Sequence, residues 1–296
     1  MPRLIVNADD LGISPGTNRA IAECFSRGIV TSASLLVNMP AWEEAVRIAR
    51  EHTALQIGLH VCLTSGPSVL PGRQVPLLVD GAHRFRHSFL GLWRLLRSPQ
   101  REAALAQLAA EIEAQWDRAR RSRVTLGHVD SHQHVHMLPD LFPVVADLAR
   151  KVGVTVRVAN EPWHLGALTV GARRIAKGAS GLLKAALLRW CTRRSARLAA
   201  EVRRSEACFG IVHSGRMTSD VLRYLIGTLP DGVTELIVHP SLETEPDPQA
   251  ALSEADCHFL RSPFRRQEYE ALLDPLVRRS LDQARAQLLR RPATAA

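Results

Sequence analysis

No run of 18 apolar residues free of charge occurs in the 296-residue chain, so a membrane-spanning helix is not expected. Nor is a secretory leader expected: Met1-Pro2-Arg3-Leu4-Ile5-Val6 runs straight into a strand-like segment without a cleavage site, and a cytoplasmic location is expected. The five cysteines (Cys24, Cys62, Cys191, Cys208 and Cys257) form neither a CxxC pair nor an even framework. That excludes a disulfide scaffold and leaves them as buried small hydrophobes. No recognition motif accompanies the formal charge of +9, so no nucleic-acid partner is expected. The charge is also local. Residues 165–204 hold ten Lys or Arg against the single acid Glu201, which equals the excess of the whole chain.

What is present is alternation. Short Leu-rich or β-branched runs at 3–8, 33–37, 56–61, 126–129, 154–158, 209–213 and 235–239 are separated by helical patterns at 15–27, 41–51, 101–121, 139–151, 218–227 and 265–289. Ser14-Pro15 and Pro139 look like helix starts. Parallel βα units of this number predict an α/β fold, a distorted or incomplete (β/α) barrel of the TIM type, with a doubly wound open sheet as its rival. The reading is one domain over 1–290, a frayed tail at 291–296, and two insertions, at about 67–99 and 165–204. Both insertions, the second helical and basic, are expected on the loop face that carries the active site.

Barrel enzymes place their catalytic groups at the carboxyl ends of strands. Nearly every expected strand here ends in a polar group: Asp9-Asp10, His60, the run His128-Val129-Asp130-Ser131-His132-Gln133-His134-Val135-His136, Arg157, His213 and His239-Pro240. An isolated Asp-Asp is more often an Asx turn or a helix cap. Beside so many histidines, it reads better as two diverging carboxylates, one on a metal and one facing the bound water. Residues 128, 130, 132, 134 and 136 share one parity, so any extended part turns them to one face. One open metal site cannot take all of these imidazoles, and some must orient ligands or meet substrate.

These motifs resemble the YdjC-like carbohydrate deacetylases, the group that includes chitooligosaccharide deacetylases. The resemblance is carried by Asn7-Ala8-Asp9-Asp10-Leu11-Gly12, Gly58-Leu59-His60, Asp130-Ser131-His132-Gln133-His134-Val135-His136 and His239-Pro240. It implies a distorted barrel with metal ligands at Asp10, His60 and His132 and a base at Asp9. Within the family, Asn160-Glu161-Pro162-Trp163, the basic stretch after it and Ser214-Gly215-Arg216-Met217-Thr218 resemble hopanoid-biosynthesis deacetylases. That implies an N-acetylglucosaminyl glycolipid substrate. Cys62 stands where the family commonly has Asn.

Amide hydrolysis needs an activated water, oxyanion stabilisation and a proton for nitrogen. The expected set is one divalent cation, Asp9 as base and His239 as acid. Two imidazoles and a carboxylate suit zinc better than magnesium, although the family is often described with magnesium. Arg157, Glu161, His134, His136 and Trp163 are the candidates for contacts to sugar, with fixing the loop an equal reading for Arg157 and Glu161. Partners expected are a glycolipid or, alternatively, a soluble chito-oligosaccharide, with peripheral contact to the inner membrane surface through the Leu183, Leu187 and Trp190 face. A homo-oligomer is compatible with the sequence. The rivals in other classes are a metal-dependent phosphoesterase and a basic binding protein.

Overall fold

The computed structural model describes residues 1–162, 175–242 and 251–289. Eight strands form one sheet: β1 (Pro2–Leu11), β2 (Ser32–Leu35), β3 (Gln56–Val61), β4 (Leu126–Ser131), β5 (Thr155–Val156), β6 (Ala207–Phe209), β7 (Gly232–Val238) and β8 (Gln287–Leu288). Every pairing is parallel, in the order β5-β4-β3-β2-β1-β7-β6, with β8 also against β1. With helices between successive strands and no ladder joining β5 to β6 among the described residues, this is an incomplete (β/α) barrel. All residues of β1 from Leu4 to Leu11 are buried, as a strand covered on both faces requires. The barrel core is built from such strands, for instance Leu4, Val6, Leu35, Leu59, Val129 and Ile237.

The seam between β5 and β6 is held by a side chain. Glu161, just after β5, accepts the backbone N–H groups of Gly210, Ile211 and Val212 at 3.2, 2.8 and 2.8 Å. This explains why the strand expected at 209–213 stops at Phe209: the amides that would continue a ladder go to a carboxylate, and Gly210 turns at φ 106°. The strand expected at 154–158 shrinks to two residues: Arg157 N–H still bonds the Val129 carbonyl of β4 at 3.1 Å, and on the other edge Val156 N–H meets the Arg203 carbonyl at 2.8 Å in place of a strand. Replacing Glu161 by Ala leaves three amides without their acceptor. The expected loss is about 3 kcal/mol, from the 1–3 kcal/mol typical of each unsatisfied buried group and allowing for water entry. Urea unfolding measures it, and a variant as stable as the parent would rule out Glu161 as the closure.

The first helix, Pro15–Ser26, begins as expected, with Ser14 capping the Thr17 amide and proline in the first turn. Pro139 does not open a helix. Leu138 is extended, a turn follows, and the helix is Phe142–Val152 with Pro143 in its first turn. The expected helix at 265–289 is instead three elements: Pro263–Leu273, Pro275–Gln283 and the strand β8, preceded by an unanticipated helix Glu254–Leu260. Pro275 disfavours helical geometry at Asp274, which caps the next helix through the Leu276 amide. In the 67–99 stretch, Glu111 takes the Val69 and Leu70 amides at 2.8 and 3.0 Å and ties the loop to the helix Arg101–Arg121.

In the described part of the basic stretch, Gly181 and Lys184 of the helix Ile175–Arg194 reach the cavity described below, whereas Arg203 lies against β5, its carbonyl accepting the Val156 N–H and its Nη1 donating to the Gly153 carbonyl. Among the described residues no helix is long and apolar enough to cross a membrane. All five cysteines are free thiols, Cys257 half-buried and the rest buried.

Candidate active site

At the carboxyl end of β1, Asp9 and Asp10 are both buried and diverge. Asp10 adopts φ 69°, a left-handed conformation that Asp tolerates better than most residues. The turn after it is fixed by Ile13 N–H on the Asp10 carbonyl at 3.1 Å and by Gly12 N–H on Asn18 Oδ1 at 2.7 Å. Asp9 receives the Arg157 fork, with both N–O distances 2.7 Å, and the Asn7 amide at 2.8 Å. The same guanidinium, wholly buried, meets Asp130 Oδ2 at 2.7 Å and Glu235 Oε1 at 2.9 Å. Burial raises Asp9 above the ordinary carboxylate range, with Arg157 opposing. For Asp130 burial acts the same way but is outweighed by Arg157 and His60, which hold it well below that range.

His60 enters from β3. The Gly58 before it has no Cβ because one would lie 2.2 Å from the His128 ring on β4. His60 Nδ1 donates to Asp130 Oδ1 at 2.6 Å, which turns Nε2 to within 3.7 Å of Asp10 Oδ1 and 3.8 Å of Asp9 Oδ2. His132 starts a short 3-10 turn, His132–Met137, directly after β4. Its Nδ1 lies 3.1 Å from Asp10 Oδ1 and its Nε2 lies 2.9 Å from Asp256 Oδ1. Burial disfavours its charged form, yet Asp256 and Asp10 prevail and hold it well above the ordinary imidazole range.

One donor atom each from Asp10, His60 and His132 falls within 4.8 Å of the others. The chemistry of this set fits a divalent cation: two imidazoles and a carboxylate, all buried, with the far nitrogen of each ring held by Asp130 or Asp256. Asp10 Oδ2, buried, has no hydrogen-bond partner. A second group, Asp9, His60 and Asp130, has similar spacing, but there the Arg157 guanidinium already supplies the positive charge. Asp10, His60 and His132 are the residues that could hold a cation.

These groups form the floor of a cavity of about 320 Å³, with Lys184, Arg216 and Phe259 among its walls. His239 follows β7, its Nε2 3.9 Å from Asp9 Oδ2 and its ring edge-on to Phe259 at 5.3 Å. Burial drives its pKa well below the imidazole range, so its resting form is neutral. His134 lines the cavity at φ 57° with Nδ1 unpaired, and burial keeps it neutral too.

Residues 3–283 match the family model described as YdjC-like protein. The chain belongs to the YdjC-like family. It is 42% identical over 164 residues to a carbohydrate deacetylase of Brevibacillus brevis, covering 55% of this chain and 61% of that one. To a chitooligosaccharide deacetylase of Proteus mirabilis it is 38% identical over 156 residues, covering 52% and 58%. The chain thus spans less than two thirds of the length of these curated relatives. In structure, 98% of it superposes on 97% of a crystallised Enterococcus faecalis protein described as a candidate cellobiose-phosphate cleavage protein, at TM-score 0.73 and 25% identity.

In this YdjC-like chain the cavity gathers Asp9, Asp10, His60, His132, His134 and His239. Three expected sugar contacts are corrected. Arg157 is wholly buried and spends its guanidinium on three carboxylates. Glu161 is committed to the seam. His136 is wholly buried, bonded to Ser131 Oγ at 2.5 Å and to the Arg157 carbonyl at 2.8 Å. Left-handed Gln133 and His134 break the alternation of the run, which is why His136 turns away. Trp163 lies outside the described residues. Sequence reasoning missed Asp256 and Lys184. The half-buried Lys184 reaches the cavity, and burial lowers it despite Asp9, Asp10 and Glu161.

Proposed function

We propose that the chain is a metal-dependent carbohydrate N-deacetylase that hydrolyses the acetamide of an amino sugar. The observation that carries this reading is the convergence of Asp10, His60 and His132, a set of donors suited to a cation, with a second carboxylate, Asp9, beside it. The names of the relatives support it. Asp10, His60 and His132 would hold a divalent cation, zinc on ligand chemistry with magnesium as the rival, which would supply a Lewis acid for the acetyl carbonyl and for water. Asp9, raised by burial and kept in place by Arg157, accepts a proton from the attacking water. His239, neutral at rest, takes from Asp9 the proton that the carboxylate received and passes it to nitrogen as the C–N bond breaks, so that the products are acetic acid, which ionises to acetate, and a free amine. A phosphoesterase usually uses a second cation, and Arg157 stands where that ion would sit.

For the acceptor we propose an N-acetylglucosaminyl glycolipid of the hopanoid type, met at the cytoplasmic membrane face. Support comes from the helix that sends Lys184 into the cavity: Leu183 beside it is 72% exposed and Trp190, two turns on, is 40% exposed. Leu187 packs partly on the core and belongs less to that face. A soluble chito-oligosaccharide is the second reading, favoured by the chitooligosaccharide deacetylase among the relatives. Mass-spectrometric measurement of acetate released from both acceptors, with and without chelator, tests the assignment. Release from neither in the metal-loaded protein would reject it. Ser at 183 and 190 is expected to slow turnover of the membrane-presented lipid only; equal loss on both substrates would favour the soluble acceptor.

Asp256→Asn is expected to weaken zinc binding about 10- to 100-fold, the usual cost of losing a carboxylate behind a ligating histidine. A competition titration measures it, and unchanged affinity would free Asp256 from that role.

A further inference from the structure

We propose that Arg265 and Glu268 are positioning residues that set His239 relative to Asp10, a proposal that rests on the site reading above. Both lie one turn apart on the helix Pro263–Leu273, and both are wholly buried. Glu268 Oε2 accepts the His239 N–H at 2.6 Å, and Oε1 accepts the Met217 N–H at 3.0 Å. Arg265 Nε donates to the His239 carbonyl at 3.1 Å, and its Nη1 lies 3.3 Å from Asp10 Oδ2. One helix therefore grips both backbone polar atoms of His239 and touches the outer oxygen of Asp10.

The grip matters because, among the described residues, the ring itself has only an edge contact with Phe259 and a 3.9 Å approach of Nε2 to Asp9 Oδ2. The ladder between β1 and β7 ends at the pair Ala8 and Val238, one residue short of His239. Its Nδ1 has no hydrogen bond, and its ring contact is Phe259, over which the Arg265 guanidinium also lies, at 4.8 Å. The ring is thus aimed through its backbone. A purely structural contact between this helix and the barrel has no need of the pair: Ala271 and Leu272 already bury apolar surface there, and apolar side chains avoid the desolvation of buried charge. Burial pushes Glu268 up to about 7, so keeping a carboxyl at that position works against stability.

The test uses the full-length zinc-loaded protein, with kcat and KM on an N-acetylglucosamine oligosaccharide, zinc affinity by competition, melting temperature, and the His239 imidazole resonances by 15N–1H NMR. Glu268→Ala is expected to lower kcat about 10- to 100-fold, the scale of a misplaced catalytic group, with KM and zinc affinity little changed and the His239 resonances moved. Glu268→Gln, which keeps one acceptor oxygen, should recover part of the rate, and Arg265→Met should lower kcat in the same way. A folded Glu268→Ala with parental kcat and unmoved resonances would overturn the proposal. If Glu268→Ala does not fold, parental values in both Glu268→Gln and Arg265→Met would do so. Should the parent protein release no acetate while the resonances still move in Glu268→Ala, the deacetylase reading fails and the positioning role stands.

Discussion

Arg157→Met is expected to remove a large part of the protein's stability. The guanidinium is wholly buried and answers Asp9, Asp130 and Glu235 together, so methionine leaves three carboxylates in the interior without their counter-charge. Breaking one buried pair from one side typically costs about 3–5 kcal/mol, against a total of about 5–15 kcal/mol for a folded domain. The sign of the pH dependence separates this mechanism from simple loss of packing. In the parent protein Asp130 titrates well below the ordinary range, so its contribution is present above its unfolded value and is lost as pH falls. In Arg157→Met the buried carboxyls are expected to titrate above their unfolded values, so stability is lost as pH rises. Thermal unfolding at several pH values reads both effects; a variant with the parental melting temperature, or with the parental pH trend, would show that the guanidinium is not the centre of the charge balance.

The second large effect separates two roles inside the same few ångströms. Asp10→Ala, His60→Ala and His132→Ala each leave two of three ligands, and each is expected to lose bound zinc along with acetate release. Asp9→Asn should keep the metal and lose about 10²- to 10⁴-fold in rate, the range for a positioned base. Metal analysis after dialysis, beside steady-state rates, distinguishes the cases. Full occupancy in one of the alanine variants would remove that residue from the ligand set, and normal turnover by Asp9→Asn would reassign the base.

Residues that carry this site were legible where they sit at the ends of apolar runs. Asp9, Asp10, His60 and His239 interrupt hydrophobic strands at the same end, and polar side chains there have little structural reason to exist. His132 was legible within its run, but the turn through Gln133 and His134 was not, because parity holds only while the chain stays extended. Arg157 looked equally suited to a sugar or to a loop; only the register of β1, β4 and β7 brings Asp9, Asp130 and Glu235 around it. Asp256 carried no local signal. It lies on the short helix Glu254–Leu260, 124 residues from its partner His132, and reads as one ordinary acid among several. The C-terminal strand β8 was hidden for a related reason: two residues, Gln287 and Leu288, are too short to display a period and are strands only because β1 leaves room beside Arg3 and Leu4.

The Glu161 seam has a consequence for how such chains diversify. Loops between barrel strands accept insertions because strand register is held by groups outside the loop. Here the two edges are joined by one carboxylate on three amides, and the chain between Pro162 and Ala207 is bounded by that joint. The length and composition of this span can change without shifting a strand, while the span still delivers Lys184 to the cavity. Exchanging 163–205 between family members while keeping Glu161 is therefore expected to leave the strands in register, so that such a span can be replaced as a cassette.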